Sequence, residues 1–558
     1  SPLASLRFAM RPPAAPGTVR SPLGTGFRWS ELFFSEIPGS VWIRETGRID
    51  LPCDVPCETI AVEGELLPDG GRAAAAGVPG LELRVNDRTL GRTQFEVGPF
   101  SWRIRLPADC RRGPVRIELR LLGVARGNLL AFLGRILAGW PGSHRLQPYR
   151  LQPLNKRLRI TRVLVDTQPV LDFTSSAAAF DIGFITSRAN IGINLAGWFR
   201  AELGVGESVR CAARAAAAAG VPHALVPLKL YCKAAQGDHS FDDRLSEDNP
   251  YPVNVIHIDA PQSRDIDHHH GAAFRRGKYN IGYWAWELPE FPDGWVRYCD
   301  YVDEIWAPSR FARDAIAAKA PVPVLAMPHA IEFPIPSAPD ARAVFDLPRD
   351  RFLFLFIYDL NSYQERKNPR AVLRAFRHAF GAHGCRGAGL VIKVHGVRGN
   401  ERDLASLREE IAELDGCILI ANTLPRDGIT LLQMACDCFV SLHRSEGFGL
   451  SIAESMFLGK PVISTNWSAT AEFVDANNGC PVNHRLVELT ENHGPYTKGQ
   501  IWADPDIEHA AWQMRRLVDD RALCERLGAA AAATIRNDFS AKRIGRMYAD
   551  RLRAMALW

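Results

Sequence analysis

The sequence predicts an α/β protein in which two Rossmann-like domains follow an antiparallel β-sandwich of jelly-roll type. Three observations predict it. Between about Phe27 and Phe173 short segments alternate apolar and polar residues, the period of strands buried on one face. After Asp181 the apolar segments become continuous and alternate with helical stretches, as strands buried on both faces of a parallel sheet do. The run Phe333-Pro-Ile-Pro-Ser-Ala-Pro then breaks this second part in two, because proline ends regular structure.

Bulk properties agree with that division. At 558 residues the chain is too long for one core, and at roughly 100–200 residues per domain it suggests about three domains. Hydrophobic residues at 47% and charged residues at 23% are ordinary soluble usage, which argues against a disordered chain or an integral membrane protein. The 67 basic and 62 acidic residues leave a formal charge of +5, too small and scattered for a nucleic-acid footprint. Twelve cysteines lie far apart, several in apolar runs such as Cys417-Ile-Leu-Ile, without the paired spacing that tetrahedral zinc needs. They read as buried reduced thiols. No signal peptide opens the chain, and no apolar run approaches the ~18 residues of a spanning helix, so a reducing cytoplasm is expected. The start at Ser1-Pro-Leu, without an initiator Met, leaves room for more chain upstream.

Residues 1–27, rich in Pro, Gly, Ala and Arg and without periodicity, read as a weakly ordered leader. Residues 28–173 hold the sandwich strands: Thr59-Ile-Ala-Val-Glu-Gly-Glu-Leu, Leu81-Glu-Leu-Arg-Val-Asn, Ser101-Trp-Arg-Ile-Arg-Leu, Val115-Arg-Ile-Glu-Leu-Arg-Leu and Leu158-Arg-Ile-Thr-Arg-Val-Leu-Val, separated by turn residues. Residues 174–340 carry buried strands at Val253-Asn-Val-Ile-His-Ile, Ile281-Gly-Tyr-Trp-Ala-Trp, Glu304-Ile-Trp-Ala and Val324-Leu-Ala-Met. Residues 341–558 carry a second set, from Phe352-Leu-Phe-Leu-Phe-Ile-Tyr through Leu390-Val-Ile-Lys-Val, Cys417-Ile-Leu-Ile and Cys438-Phe-Val-Ser-Leu to Pro461-Val-Ile-Ser. The stretch from Ala541 to Trp558 is an amphipathic helix.

The segment richest in chemistry is Leu442-His-Arg-Ser-Glu446-Gly447-Phe448-Gly449-Leu450-Ser-Ile-Ala-Glu454. A strand ends, a Gly-x-Gly turn follows, and a helix starts near Gly449 or Leu450. The unpaired amides of such a helix start suit an anion such as pyrophosphate. Glu446 in the turn and Glu454 about a turn into the helix can bracket one ligand, and the second carboxylate can accept from a ribose diol. A strand, glycine loop and helix is also a common structural unit with no ligand at all.

This segment resembles the Glu-x7-Glu signature of the large retaining glycosyltransferase family with the GT-B fold, the group 1 glycosyltransferases, down to the trailing Gly459-Lys-Pro-Val. The resemblance runs from about Asp181 to the C-terminus. Tyr358-Asp359-Leu-Asn-Ser362-Tyr-Gln-Glu-Arg366-Lys367-Asn-Pro369 is similar to the family's phosphate-binding loop, and Gly197-Trp-Phe-Arg200-Ala-Glu-Leu-Gly204-Val-Gly206-Glu to the glycine loop that faces the donor from the other domain. The resemblance implies that Glu454 binds the nucleotide ribose, and that Glu446 contacts the transferred sugar. It implies that Gly447, Phe448, Gly449 and Leu450 present amides, and that Lys367 neutralises the leaving phosphate. Gly204 and Gly206 would face the donor. The chain departs from the family at the first basic residue of the usual Arg…Lys pair, where Asn361 or Ser362 stands; Ser362 and Arg366 are the candidates to replace it. Retaining enzymes of this kind react on one face of the sugar, with the leaving phosphate taking the acceptor's proton. A polar residue from the first domain lies near the sugar, and His257, at a strand end, is the candidate; an interior structural histidine is the alternative.

Three weaker signals remain. Asp265-Ile-Asp267-His268-His-His270 resembles a D-x-D or metal motif but reads as a hydrophilic loop, so no metal is expected. The stripe from Arg126 to Trp140 fits a membrane-surface helix, although such stripes more often pack on their own domain. Trp284, Trp286, Trp295 and Trp306 could stack on sugar, but core packing is the usual use of Trp in buried strands. The expected activity is transfer of a sugar from a GDP-, UDP- or TDP-linked donor to a saccharide or lipid-linked saccharide, without a cofactor. On the resemblance alone, this serves bacterial surface polysaccharide or glycoconjugate assembly. The place expected for it is the cytoplasm, with association to the inner face of the membrane left open, and the sandwich would bind carbohydrate or acceptor. The rival readings are a non-catalytic glycan-binding protein on the same fold and a nucleotide-sugar epimerase.

Overall fold

The computed structural model describes residues 17–20, 26–34, 41–51, 58–66, 80–108, 115–122, 158–165, 168–172 and 192–554, the last range without 277, 339 and 383–386. The 126–140 stripe lies outside these residues. Ten antiparallel strands come first: β1 (Gly17–Arg20), β2 (Gly26–Phe34), β3 (Val41–Leu51), β4 (Thr59–Leu66), β5 (Gly80–Val85), β6 (Arg88–Gln94), β7 (Gly98–Arg105), β8 (Val115–Leu122), β9 (Leu158–Val165) and β10 (Gln168–Asp172). The alternation read from the sequence does place Ile60, Val62, Leu81, Leu83, Val85, Ile117, Leu119 and Val163 inside. Glu82 is buried among them and ion-pairs with Arg92 at 2.5 Å.

Two expectations change here. β1 falls inside the supposed leader and pairs with β2, because main-chain pairing needs no apolar period. The strands also form one hydrogen-bonded network where a jelly roll has two facing sheets. The long β3 is the reason, since Val41–Trp42 pair with β9 while Thr46–Leu51 pair with β8, and β2 lies along it as well. A strand that changes partners along its length joins two halves at a corner.

The second part is two parallel sheets. The first contains β11 (Ile193–Gly197), β12 (His223–Pro227), β13 (Val253–His257), β14 (Tyr279–Tyr283), β15 (Glu304–Ala307) and β16 (Val324–Ala326), in the order β12-β11-β13-β14-β15-β16. The second contains β17 (Phe352–Asp359), β18 (Ala388–His395), β19 (Cys417–Ile420), β20 (Cys438–Ser441), β21 (Val462–Thr465) and β22 (Cys480–Val482), in the order β19-β18-β17-β20-β21-β22. Both are doubly wound, and the second has the 3-2-1-4-5-6 order of a Rossmann sheet. In such sheets ligands bind beyond the carboxyl ends of the strands where the order reverses. That rule points to β11 and β13 in one domain and to β17 and β20 in the other. A short hairpin, β23 (His484–Glu488) with β24 (Ile501–Pro505), follows β22. Strands β11 and β12 were not read from the sequence, being short and polar at their edges.

The chain crosses between the domains twice, side by side. Residues 327–338 carry no regular element, and Ile331 N donates to Phe539 O at 2.8 Å as the chain returns. The last helix, Ala541–Ala554, therefore packs on the first of the two domains, against the helix Gly204–Ala218. A Cβ on Gly545 would lie 2.0 Å from Ala215 O, so only glycine permits this approach. Arg551 and Glu304 lock the helix: Nη2 meets Oε2 at 2.6 Å and Nε meets Oε1 at 3.0 Å, while Trp306 Nε1 and Tyr279 Oη donate to the same carboxylate. Trp284, Trp286 and Trp306 are fully buried in the core. The described cysteines are all free, and no described helix is long and apolar enough to cross a membrane.

Because a buried carboxylate stripped of its partner keeps its full desolvation cost, Arg551→Ala is expected to destabilise the protein by about 3–5 kcal/mol. Urea denaturation of the two proteins measures it, and a change below about 1 kcal/mol would mean that water reaches Glu304.

Candidate active site

The carboxyl end of β17 turns through Leu360–Ser362 into the short helix Gln364–Lys367, and the end of β20 leads through Leu442–Gly449 into the helix Leu450–Phe457. The two loops meet at Glu446. Its carboxylate lies 2.5 Å from Lys367 Nζ and 3.3 Å from Arg366 Nη1. Burial alone would raise its pKa, but Lys367 and Arg366 outweigh burial and hold it at about 2. Arg366 also donates to Ser445 O at 3.0 Å and approaches Glu287 of the first domain at 3.9 Å. Arg366, one of the two candidates for the second cation, thus shares the Glu446 carboxylate with Lys367. Ser362 is partly exposed at the rim of the same turn. Gly449 caps the helix with φ +98, and a Cβ there would lie 2.7 Å from Thr470 Cγ2.

Glu454, one turn along, is buried and paired with Arg426 Nη2 at 2.7 Å. Burial pushes its carboxyl up and Arg426 draws it down, with burial prevailing. Across the cleft stands the glycine loop after β11. A Cβ on Gly204 would come within 3.9 Å of Leu450 Cδ1, and Gly206 has its own tight spot, 2.3 Å from Ala201 O. The helix beginning there carries Glu207, which pairs with Arg214 and with Arg210 at 2.9 Å. Arg214, Arg426 and Arg210 hold the Glu207 carboxyl well below the usual range despite burial. Two buried carboxylates, Glu207 and Glu454, and two half-buried guanidiniums, Arg214 and Arg426, from two domains thus gather beside the helix Leu450–Phe457.

Direct bonds close the rest of the interface. Ser309 Oγ donates to Gly447 O at 2.7 Å, Ser445 Oγ donates to Glu287 O, and the amides of Arg310 and Phe311 donate to Glu472 at 3.1 and 2.7 Å. A column of rings also crosses it: His257 on Tyr283 at 4.3 Å, Tyr283 on His329 at 5.4 Å, and His329 on Phe448 at 4.8 Å.

His257 carried two readings, a polar group near the sugar and an interior ring. The residue ends β13 as anticipated, but it is fully buried, with Nδ1 2.8 Å from Ser208 Oγ, and burial pushes its pKa well down. Its Nε2 has no hydrogen-bond partner among the described residues. Two residues further on, Asp259 opens to the cleft between buried neighbours. Crowding by the walls and then the nearby charge of Glu287 raise its carboxyl to about 6. Lys393, buried at the end of β18, faces Glu202 of the other domain and Asp359, and burial lowers its amine to about 8. Arg426, Asp259, Glu287 and Lys393 were not singled out as site residues in the sequence; Asp259 and Glu287 follow strand ends, whereas Lys393 lies within β18 and Arg426 opens a helix. Asp265 and Asp267 lie in a helical turn, Ala260–His270, where a loop was expected, since Arg275 pairs with Asp267 and fixes it. Among the described residues no group of three His, Cys, Asp or Glu side chains could hold a metal ion.

A carboxyl with an ordinary value of 4.5 and a folded value of about 2 contributes stability that is complete above the first value and vanishes toward the second. The stability advantage of the wild type over Glu446→Gln in urea is therefore expected to shrink steadily from about pH 5 to about pH 2. A constant difference would mean that the ion pairs are open in solution.

Residues 338–534 match the family model of glycosyl transferases group 1. No curated protein matches the chain. Among solved structures, sucrose-phosphate synthase from Thermosynechococcus elongatus aligns with 65% of this chain and 98% of its own, at 14% identity and a TM-score of 0.48. Anabaena HepE, in complex with UDP-glucose, aligns with 65% of this chain and 99% of its own at 14% identity and a TM-score of 0.49. A glycosyltransferase from Rickettsia africae aligns with 66% and 99% at 14% identity and a TM-score of 0.48. The residues that match this family model include Arg366, Lys367, Glu446 and Glu454.

Proposed function

We propose that the protein transfers a sugar from a nucleotide-diphosphate sugar to a saccharide acceptor, with retention of anomeric configuration and without a metal. The observation that carries this reading is the meeting of Lys367, Arg366 and Glu446 at the strand ends where the order of the second sheet reverses. When the bond from the anomeric carbon to the donor phosphate breaks, negative charge grows on the departing diphosphate. Lys367 and Arg366 are already oriented there, and preorganised charges of this kind are usually the largest catalytic term. The amides of Gly447 to Leu450 at the start of a helix add to the same field. Glu446, ionised because the two cations hold it so, accepts hydrogen bonds from hydroxyls of the transferred sugar.

Glu454 takes the ribose diol. One ion pair with Arg426 leaves its carboxylate further lone pairs to accept with. The acceptor enters from the first domain, where Asp259 offers a carboxylate open to the cleft. In the front-face reaction the acceptor hydroxyl bonds to the anomeric carbon as the diphosphate leaves, and its proton passes to the leaving phosphate. The antiparallel domain is proposed as the acceptor-holding module, and assembly of a surface polysaccharide or glycoconjugate, at the inner face of a membrane, as the setting.

Two variants test this. Glu454→Ala is expected to weaken nucleotide diphosphate binding by about tenfold or more, since each charge-assisted hydrogen bond is worth about 1.5–3 kcal/mol. Calorimetry with GDP, UDP, TDP and ADP reads it, and undiminished affinity would remove Glu454 from the donor site. Lys367→Ala is expected to lower kcat at saturating donor by about two orders of magnitude. Full turnover by that variant would make the lysine structural and leave the transferase reading without its electrophilic partner.

A further inference from the structure

After β22 the chain leaves the second domain for the hairpin of β23 and β24, joined by residues 489–500. This excursion is built into the other domain. Leu489, Tyr496 and Trp502 share one buried cluster with Trp284, Trp286, Leu288 and Phe291 of the first domain. Tyr496 Oη donates to Glu287 Oε2 at 3.0 Å, its ring lies 5.6 Å from that of Trp286, and Gln500 Nε2 donates to Glu290 O at 3.4 Å.

The same tip grips the phosphate-side turn. Gly494 has φ +59 and sits so close to Tyr363 that a Cβ would lie 2.1 Å from its hydroxyl oxygen. The Tyr363 and Tyr496 rings meet edge to face at 5.6 Å, the Arg366 guanidinium lies 5.7 Å from the Tyr496 ring centre, and His493 approaches Glu365 at 3.7 Å. Tyr363 itself holds φ 57, a conformation that costs a non-glycine residue about 1–3 kcal/mol and persists only where its surroundings enforce it. Arg444 holds the far side of this turn through the carbonyls of Glu365 and Arg366, and the hairpin tip closes over its Tyr363 side. Arg366, moreover, has carboxylates on both sides, Glu446 in its own domain and Glu287 in the other. Its Nη1 is held by Ser445 O and Glu446, while Nη2 faces Glu287, which Tyr496 holds.

We propose that the hairpin is a strap fixing the turn Tyr363–Lys367 against the first domain, with Tyr496 as the positioning residue that aims Arg366 at the donor's diphosphate. The inference rests on the glycosyl-transfer reading of the site and adds a part to it. Loss of the strap lets the strained turn relax. Displacement of a charge stabiliser by about 1 Å can cost about 10²-fold. Glu454, proposed for the ribose, lies on a different element, the helix Leu450–Phe457, and keeps its place.

The test compares two probes on the full-length protein: whichever of GDP, UDP, TDP and ADP binds the wild type, and its parent nucleoside. Tyr496→Ala is expected to weaken the diphosphate about tenfold or more and to leave the nucleoside within about twofold, because only the phosphates feel Arg366 and Lys367. Tyr496→Phe keeps the ring over Arg366 and loses only the bond to Glu287, so it should show the same split at smaller size. It also decides the matter if the alanine variant does not fold. With Glu287→Gln in the background, Tyr496→Phe should cost little more, as coupled residues are not additive. Equal loss for both probes, or an unchanged diphosphate affinity in a folded variant, overturns the strap. A wild type that binds none of the four diphosphates overturns the transferase reading and the strap with it, and is told apart by needing no variant.

Discussion

A carboxylate buried between two cations sets the geometry of the cleft. Glu446 is placed by the turn after β20, and Lys367 and Arg366 by the turn after β17, so its ion pairs tie together the two loops at the reversal point of the second sheet. Taking three charges out of water is costly, and only close mutual contact repays the cost. The loops therefore cannot drift independently. Arg366 carries the constraint onward, because its other neighbour, Glu287, belongs to the opposite domain.

The facing walls are bound in two different ways. Around Gly447 and Glu472 the contacts are hydrogen bonds between main chain and side chain, each modest and each remade easily by water when exposed. Around Glu454 they are full charges from both domains, with Arg426 feeling Glu207 as well as its own partner. Separation of the walls on that side would leave Arg426 and Glu207 with fewer counter-charges, and a buried charge with a lost partner is far more costly than a lost hydrogen bond. The ring column from His257 to Phe448 gives the same interface an apolar spine.

Most of the parallel-sheet half was legible in the sequence because a strand buried on both faces needs a continuous apolar run, and β15 and β19 were bounded to the residue by that signal. The turn from Leu442 to Leu450 was legible for a similar reason: strand, glycines and helix are contiguous, so one stretch of chain states the whole arrangement. What escaped was made by pairing between distant residues. Arg426 looks like any basic residue at a helix start until Glu454 is beside it, and Tyr496 lies 209 residues from the Glu287 it binds. For His257 position along the strand left both readings open, because it fixes which end a side chain is at and not whether water reaches it. In the antiparallel part the alternation located strands but gave no partners, so β3, which serves three neighbours, could not be foreseen.

The return of the last helix to the first of the two domains bears on how the chain comes to be folded on the ribosome. The guanidinium partner of Glu304, Arg551, lies 247 residues further along the chain. At about 5–20 residues per second, synthesis takes roughly 12–50 s to cover that distance. Through all of that time the first parallel sheet exists with an acid at β15 that has no cation, and with the groove along Gly204–Ala218 uncovered. The sheet thus completes its packing only when the final turns of chain emerge, and over nearly half of synthesis its uncovered groove is open to whatever shields exposed apolar surface.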